Sequence, residues 1–227
     1  MEVFMNCLII GGTSGLGLSL AHALKDTYTV YVTGRREFKD EDIAFLPLDL
    51  SQAEGLEERI GAVIKETPKL DLLIYAAGFF QDGTITDVDQ EGIEAMLNVG
   101  LVAAMYVVRD VLTRQESLPE FVAITSTSQW TPRLREPVYT AVKAGLGAFS
   151  NSLALDPRVG KVLVAGPAGM ATDFWKDTDP VAHDTAQMLD PEWVAEVIND
   201  ARQEVYQYKF VRILRKPSRI EVAEKRI

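Results

Sequence analysis

Cysteine and histidine are scarce: Cys7 is the single thiol, and His22 and His183 are the two imidazoles in 227 residues. One cysteine excludes an intrachain disulfide framework, and no Cys or His cluster of the kind zinc takes can be assembled, so a reduced, metal-free chain is expected. Positive charge is also short, with 23 Lys and Arg against 33 Asp and Glu and a net charge of −10. That sign is wrong for tracking a phosphate backbone or an anionic bilayer, so neither nucleic acid nor a membrane is expected as a partner. The longest uncharged apolar run, Ala95 to Val108, falls short of the ~18 to 20 residues of a spanning helix and contains Asn98, which reads as a buried helix. Met1-Glu2-Val3 lacks the cationic start of an export signal, and the apolar run Cys7 to Ile10 ends at glycines, so a cytoplasmic location is expected.

What is present is an ordinary globular balance of 47% hydrophobic and 25% charged residues, and the length favours one domain over residues 1–227. Seven short apolar runs read as buried strands: Asn6–Ile10, Tyr28–Thr33, Ala44–Leu48, Leu70–Ala76, Phe121–Ser126, Lys161–Ala165 and Phe210–Leu214. Between them lie segments of helical period, such as Leu16-Leu20-Ala23-Leu24 and Leu56-Ile60-Val63-Ile64. Strands alternating with helices predict a doubly wound α/β fold with a mainly parallel, seven-stranded sheet and helices on both faces. From Lys209 onward seven basic residues face two acidic ones, which reads as a short solvated tail.

Gly11-Gly12-Thr13-Ser14-Gly15-Leu16-Gly17 directly follows the first strand and opens the first helix. Glycines there let the backbone approach a pyrophosphate, and free N–H groups at a helix N-terminus favour its charge, although a plain tight turn has the same letters. About 20 residues further on, where an acid would hold a ribose 2′-hydroxyl, the second strand ends in Arg35-Arg36. A guanidinium fork suits a 2′-phosphate, so NADP(H) is expected over NAD(H); the alternative is a pair of solvated arginines partly neutralised by Glu37.

Tyr139 and Lys143 stand four residues apart, on one face of a helix. Seven tyrosines will sometimes produce such a pair by chance, so the surroundings decide. Ser126 ends a strand thirteen residues before Tyr139, Asn98 lies in an earlier apolar helix, and the glycine loop sits at the N-terminus. In this order and spacing the chain resembles the short-chain dehydrogenase/reductase family, from Gly11 to Thr172. The resemblance implies a Rossmann-type domain in which Tyr139 is the general acid/base, Lys143 lowers its pKa and holds the cofactor ribose, Ser126 donates to the substrate oxygen and Asn98 orders a water. Ser128 is a rival to Ser126. The same resemblance assigns the cofactor to Gly11, Thr13, Ser14, Gly15, Leu16 and Gly17, to Arg35 and Arg36, and to Asp49 and Leu50. It adds Ala76, Ala77 and Gly78, Tyr139 and Lys143, and Pro167, Gly169, Met170 and Thr172 at the nicotinamide end.

The chain departs from the family where Tyr75-Ala76 replaces two asparagines, where Ile10 replaces a frequent Thr, and where Ala168 replaces a common Gly. Substrate is expected among the loops Phe79–Asp89, Thr127–Pro137 and Asp173–Asp190, with Trp130, Arg133 and Arg135 suiting an aromatic anion or, alternatively, lying on the surface. Phe174 and Trp175 read as a short lid or as packing. The Ala95–Val108 helix and the small residues after Tyr139 suggest a homodimer or homotetramer. The expected function is interconversion of a small-molecule carbonyl and alcohol. A non-catalytic dinucleotide sensor, and an epimerase or dehydratase with a transient cofactor, are the alternatives.

Overall fold

The computed structural model describes residues 5–175 and 185–227. Strands β1 (Met5–Ile10), β2 (Tyr28–Gly34), β3 (Ile43–Pro47), β4 (Leu72–Tyr75), β5 (Leu118–Ile124), β6 (Val159–Pro167), β7 (Tyr208–Arg215) and β8 (Ser218–Arg226) form one sheet in the order 3-2-1-4-5-6-7-8. The first seven pair in parallel, and β8 runs antiparallel to β7. Helices are α1 (Gly15–Leu24), α2 (Leu56–Glu66), α3 (Gln90–Leu97), α4 (Ala103–Gln115), α5 (Pro137–Leu153) and α6 (Pro191–Arg202).

Alternation along the strands sorts the core into two layers. Leu8, Ile10, Leu73, Tyr75, Phe121 and Val164 face α2, α4 and α5. Cys7, Ile9, Val32, Ile74, Val122 and Val211 face α1 and α6. Chain order reverses between β1 and β4, which leaves a crevice beyond the carboxyl ends of the strands, where such sheets bind ligands.

All seven expected strands are present, and the difference is the eighth. The first part of the basic tail lies in β7, where Lys209 is buried, and the rest forms β8, which covers the edge of β7. It escapes a reading by hydrophobic pattern because nearly every residue in it is exposed. Its anchors are polar: Lys225 Nζ lies 2.9 Å from Glu204 Oε2, and the Arg226 guanidinium lies 4.5 Å from the Tyr208 ring centroid.

The apolar helix is also longer than its uncharged run. Residues Gln90–Gln115 are helical throughout, 26 residues with a hydropathy of 1.6 over the most apolar window, long and apolar enough by length and composition to cross a membrane. In the fold, Ala103, Ala104, Val107, Val108, Val111 and Leu112 pack into the core beside α2. At Asn98–Val102 the helix widens into a π-turn.

On the α1/α6 side, Arg202 forks Glu120 through two 2.9 Å bonds and also reaches Tyr28 Oη at 3.0 Å, with both charged side chains under 10% exposed. Removing one partner leaves a buried charge uncompensated. Arg202→Met should therefore cost about 3 kcal/mol or more in urea denaturation. The double change Arg202→Met with Glu120→Leu should recover most of it.

Candidate active site

Each loop that carries a motif leaves the same edge of the sheet. Gly11 adopts φ +83°, and a Cβ there would lie 2.7 Å from the backbone of Ala77. At Gly17 a Cβ would fall 2.1 Å from the Gly11 carbonyl oxygen, so glycine is what lets α1 start this close to β1. The loop is tied to β2 by Gly11 N–H donating to Thr33 Oγ1 at 3.1 Å and Gly12 N–H to the Thr33 carbonyl at 3.0 Å. Ser14 is the N-cap of α1, yet its side chain makes no capping bond, so the helix end presents backbone donors to the crevice.

The cleft encloses about 1620 Å³, beyond the roughly 300–1,000 Å³ of a single small-molecule site. Every residue assigned above to cofactor or chemistry lines it: the Gly11–Gly17 stretch from Thr13 to Leu16, Arg35, Arg36, Asp49, Leu50, Ala76, Ala77, Gly78, Asn98, Ser126, Tyr139, Lys143, Pro167, Gly169, Met170 and Thr172. Arg35 and Arg36 are exposed at its rim. Asp49 is held below the usual carboxylate range: burial acts to raise it, but hydrogen bonds from Ser51 and the charges of Arg35 and Arg59 prevail. One end of the cleft therefore offers helix-terminal N–H groups and guanidinium charge, a donor set suited to an anionic ligand.

At the other end α5 starts with Pro137 at its first turn and carries Tyr139 and Lys143 inward. Lys143 is 3% exposed, and its Nζ donates to the Ile124 carbonyl at 3.0 Å. Burial lowers its pKa from 10.5 to about 8. The Ser126 hydroxyl acts to lower the Tyr139 pKa, whereas the Ser128 hydroxyl donates to Glu136 Oε2 at 2.6 Å. Both serines line the cleft, and Ser128 is the one tied to a carboxylate. The Tyr139 pKa moves opposite to the expectation, upward: burial dominates, the Glu136 carboxylate adds to it, and the Ser126 hydroxyl and Arg133 oppose only in part. The Lys143 ammonium lies 5.6 Å from the Tyr139 ring centroid.

Asn98 opens the π-turn and lines the cleft, with Nδ2 3.4 Å from the Ser51 carbonyl. Tyr75, one of the two departures after β4, is fully buried and donates from its hydroxyl to the Val99 carbonyl at 2.6 Å. A π-turn displaces carbonyls from their helical partners, and Tyr75 satisfies one of them next to Asn98.

Phe80, Phe174 and Trp175 gather over Tyr139. Phe80 lies 5.2 Å from the Tyr139 ring, and Phe174 lies 6.2 Å from both. The aromatic pair after Thr172 thus covers the chemical end of the cleft. Arg133 bonds Glu136, Ser128 and Thr127, and Arg135 bonds Asp82 at 2.6 and 2.8 Å. Both arginines are engaged with carboxylates and lie partly exposed at the surface. Glu136 carried no signal in the sequence, because only the loop's folding brings it to Ser128. His22 is half exposed, 3.7 Å from Asp40. His183 and the central part of the Asp173–Asp190 loop lie outside the described residues.

The sequence matches the family described as short chain dehydrogenase over residues 5–182. An uncharacterized oxidoreductase of Staphylococcus saprophyticus is 27% identical over 87% of this chain and 90% of its own length. An 11-beta-hydroxysteroid dehydrogenase-like protein of Arabidopsis thaliana is 28% identical over 74% of this chain and 59% of its own. Among solved structures, a short chain dehydrogenase family protein from Francisella tularensis superposes with a TM-score of 0.79 at 21% identity, covering 93% of this chain and 97% of that one. The closed form of a serine dehydrogenase complexed with NADP+ gives 0.78 at 24% identity over 91% and 94%.

The unfolded chain binds the Lys143 proton up to about pH 10.5 and the folded chain up to about pH 8. Stability therefore rises with pH across that window, and below it the full cost of burying the charge is present. In urea denaturation at pH 7 and pH 10.5, the stability of Lys143→Met relative to wild type should fall by up to about 3 kcal/mol as pH rises.

Proposed function

The chain belongs to the short chain dehydrogenase family of oxidoreductases, and from that premise we propose that it interconverts a small carbonyl compound and its alcohol with NADP(H). The observation that carries this reading is one continuous cleft with Arg35 and Arg36 at one end and Tyr139, Ser126 and Lys143 at the other. NADP is also the ligand named for two of the structural relatives. When bound, the nicotinamide would supply or take the hydride.

The chain's own residues do the rest. Tyr139 gives its proton to the oxygen of the forming alcohol, or takes it back in oxidation. Its raised pKa keeps it protonated, which suits the acid role. Ser126 orients the reacting oxygen from the adjoining strand end. Lys143, cationic below about pH 8, holds hydroxyl groups of the cofactor ribose and places positive charge near the phenol as its proton departs. Asn98 orders a water between the π-turn and Lys143. Phe80, Phe174 and Trp175 exclude bulk water and favour an apolar or flat substrate body. Arg35, with Arg36, recognises the 2′-phosphate as a charge-assisted fork. We further propose a cytoplasmic homodimer or homotetramer assembled on α4 and α5, where Met105 and Ala148 are exposed.

Titration by nicotinamide fluorescence should show NADPH binding at least about tenfold tighter than NADH, and Arg35→Ala should remove most of that difference, as loss of a charge-assisted bond of about 1.5–3 kcal/mol requires. Equal affinities in the wild type would overturn the cofactor assignment. Tyr139→Phe should retain NADPH affinity and lose carbonyl reduction by a factor of about 100 or more. Undiminished function in that variant would favour the non-catalytic sensor instead.

A further inference from the structure

A second cavity lies away from the cleft, on the face of the sheet that α5 covers, between that helix and strands β7 and β8. It encloses about 400 Å³, and none of the residues around it lines the cleft. Its floor is Tyr208, Phe210 and Arg212, which alternate onto one face of β7. Its opposite wall is the stretch of α5 that carries Gly147 and Ala148. A Cβ at Gly147 would fall 2.4 Å from Gln129 Nε2, so glycine is what lets the Gln129 amide lie against the helix at the cavity wall.

Two polar atoms at this cavity are buried and unpartnered. Arg212 Nε and Gln129 Oε1 make no hydrogen bond among the described residues. The Arg212 guanidinium lies 4.8 Å from the Trp130 ring centroid and 5.6 Å from that of Phe210, so aromatic faces and not a counter-charge hold it in place. The carboxylates that β8 pairs against this stretch of β7 are turned to other cations. Glu221, the register partner of Arg212, lies 2.8 Å from Arg219 Nε, and Glu224, the register partner of Phe210, lies 3.5 Å from Arg226 Nε.

Buried polar groups are almost always paired, and these two need opposite partners. Arg212 Nε–H calls for an acceptor and Gln129 Oε1 for a donor. Glu224, its side chain 46% exposed, adds a negative charge to the wall. A simple anion would suit Arg212 but face Glu224, and a simple cation would meet the reverse conflict. We propose that this cavity is a binding site, separate from the cleft, for a small zwitterion: an α-amino acid with an apolar side chain. The ligand carboxylate pairs with the Arg212 guanidinium in a charge-assisted bond. Its ammonium donates to Gln129 Oε1 and faces Glu224, and its side chain rests on Phe210 below Ala148. The volume falls within the roughly 300–1,000 Å³ of small-molecule sites. Nothing in this assignment depends on the oxidoreductase reading.

The test is isothermal titration calorimetry of the whole chain with L-leucine, with isocaproate, which lacks the ammonium, and with isoamylamine, which lacks the carboxylate. Leucine should bind with a Kd below about 1 mM, and each of the other two at least about tenfold more weakly. Arg212→Gln should weaken leucine binding by about tenfold or more, the scale of one charge-assisted bond. Glu224→Gln should weaken leucine binding and strengthen that of isocaproate. Thermal melting checks that both variants fold, and Glu224 stands on the exposed β8, so its variant carries the test if Arg212→Gln does not fold. Isocaproate binding the wild type as tightly as leucine would overturn the zwitterion. Wild-type leucine affinity in the folded variants would place the binding elsewhere and overturn the site. No saturable binding of leucine up to about 10 mM would overturn it as well, and a second copy of the chain filling the cavity past Ala148 would give that result.

Discussion

A buried ammonium sets the terms for the chemical end of this molecule. Lys143 has one hydrogen bond, to the Ile124 carbonyl at the end of β5, and almost no contact with water. A cation taken out of water is costly unless its donors are satisfied. The fold tolerates it because α5 is fixed on both flanks: Val142 and Leu146 are buried in the core, and Tyr139 is buried under Phe80 and Phe174. Stability gained along the rest of the helix thus holds a charge in a place where it does little for the folded state alone. Residues strained or desolvated against stability are where function is expected to concentrate.

The neighbouring helix shows the same logic in its backbone. A π-turn interrupts Gln90–Gln115 where the helix passes the cleft, and it begins at Asn98. Tyr75 sits at the end of β4 and bonds the Val99 carbonyl, so the sheet itself holds the irregular turn. A side-chain amide at that strand end would be too short to do so in the same manner. The loss of the family's asparagine is therefore not a simple deletion, because a longer donor from the same strand position acts on the adjacent helix.

Much of this was legible in the chain. Seven strands declared themselves because parallel strands covered on both faces are written as continuous apolar runs. The glycine loop, Tyr139, Lys143, Ser126 and Asn98 stood out through the order and spacing of a family resemblance, and the fold brings them to one cleft. Strand β8 was not legible, since a strand that pairs at an edge and buries little has no hydrophobic period. Nor was the Arg133–Glu136–Ser128 cluster, where charged residues in a loop look like solvated surface until the loop's turn brings them under hydrogen-bond distance of a buried serine. The direction of the Tyr139 shift was hidden for a related reason: a motif states which charges are near but not how little water surrounds them.

The cleft's two ends follow from different physics, and this division limits what each can recognise. At the nucleotide end, exposed Arg35 and Arg36 gather positive charge on a chain with a net charge of −10. Their local field, and not the molecule's overall charge, governs an anionic ligand there, since charges are screened beyond about 10 Å. At the chemical end, Arg133 and Arg135 are each tied to carboxylates, and Phe80, Phe174 and Trp175 present aromatic faces to the cleft. Discrimination by apolar contact is coarse, worth roughly 1–3 kcal/mol per methylene.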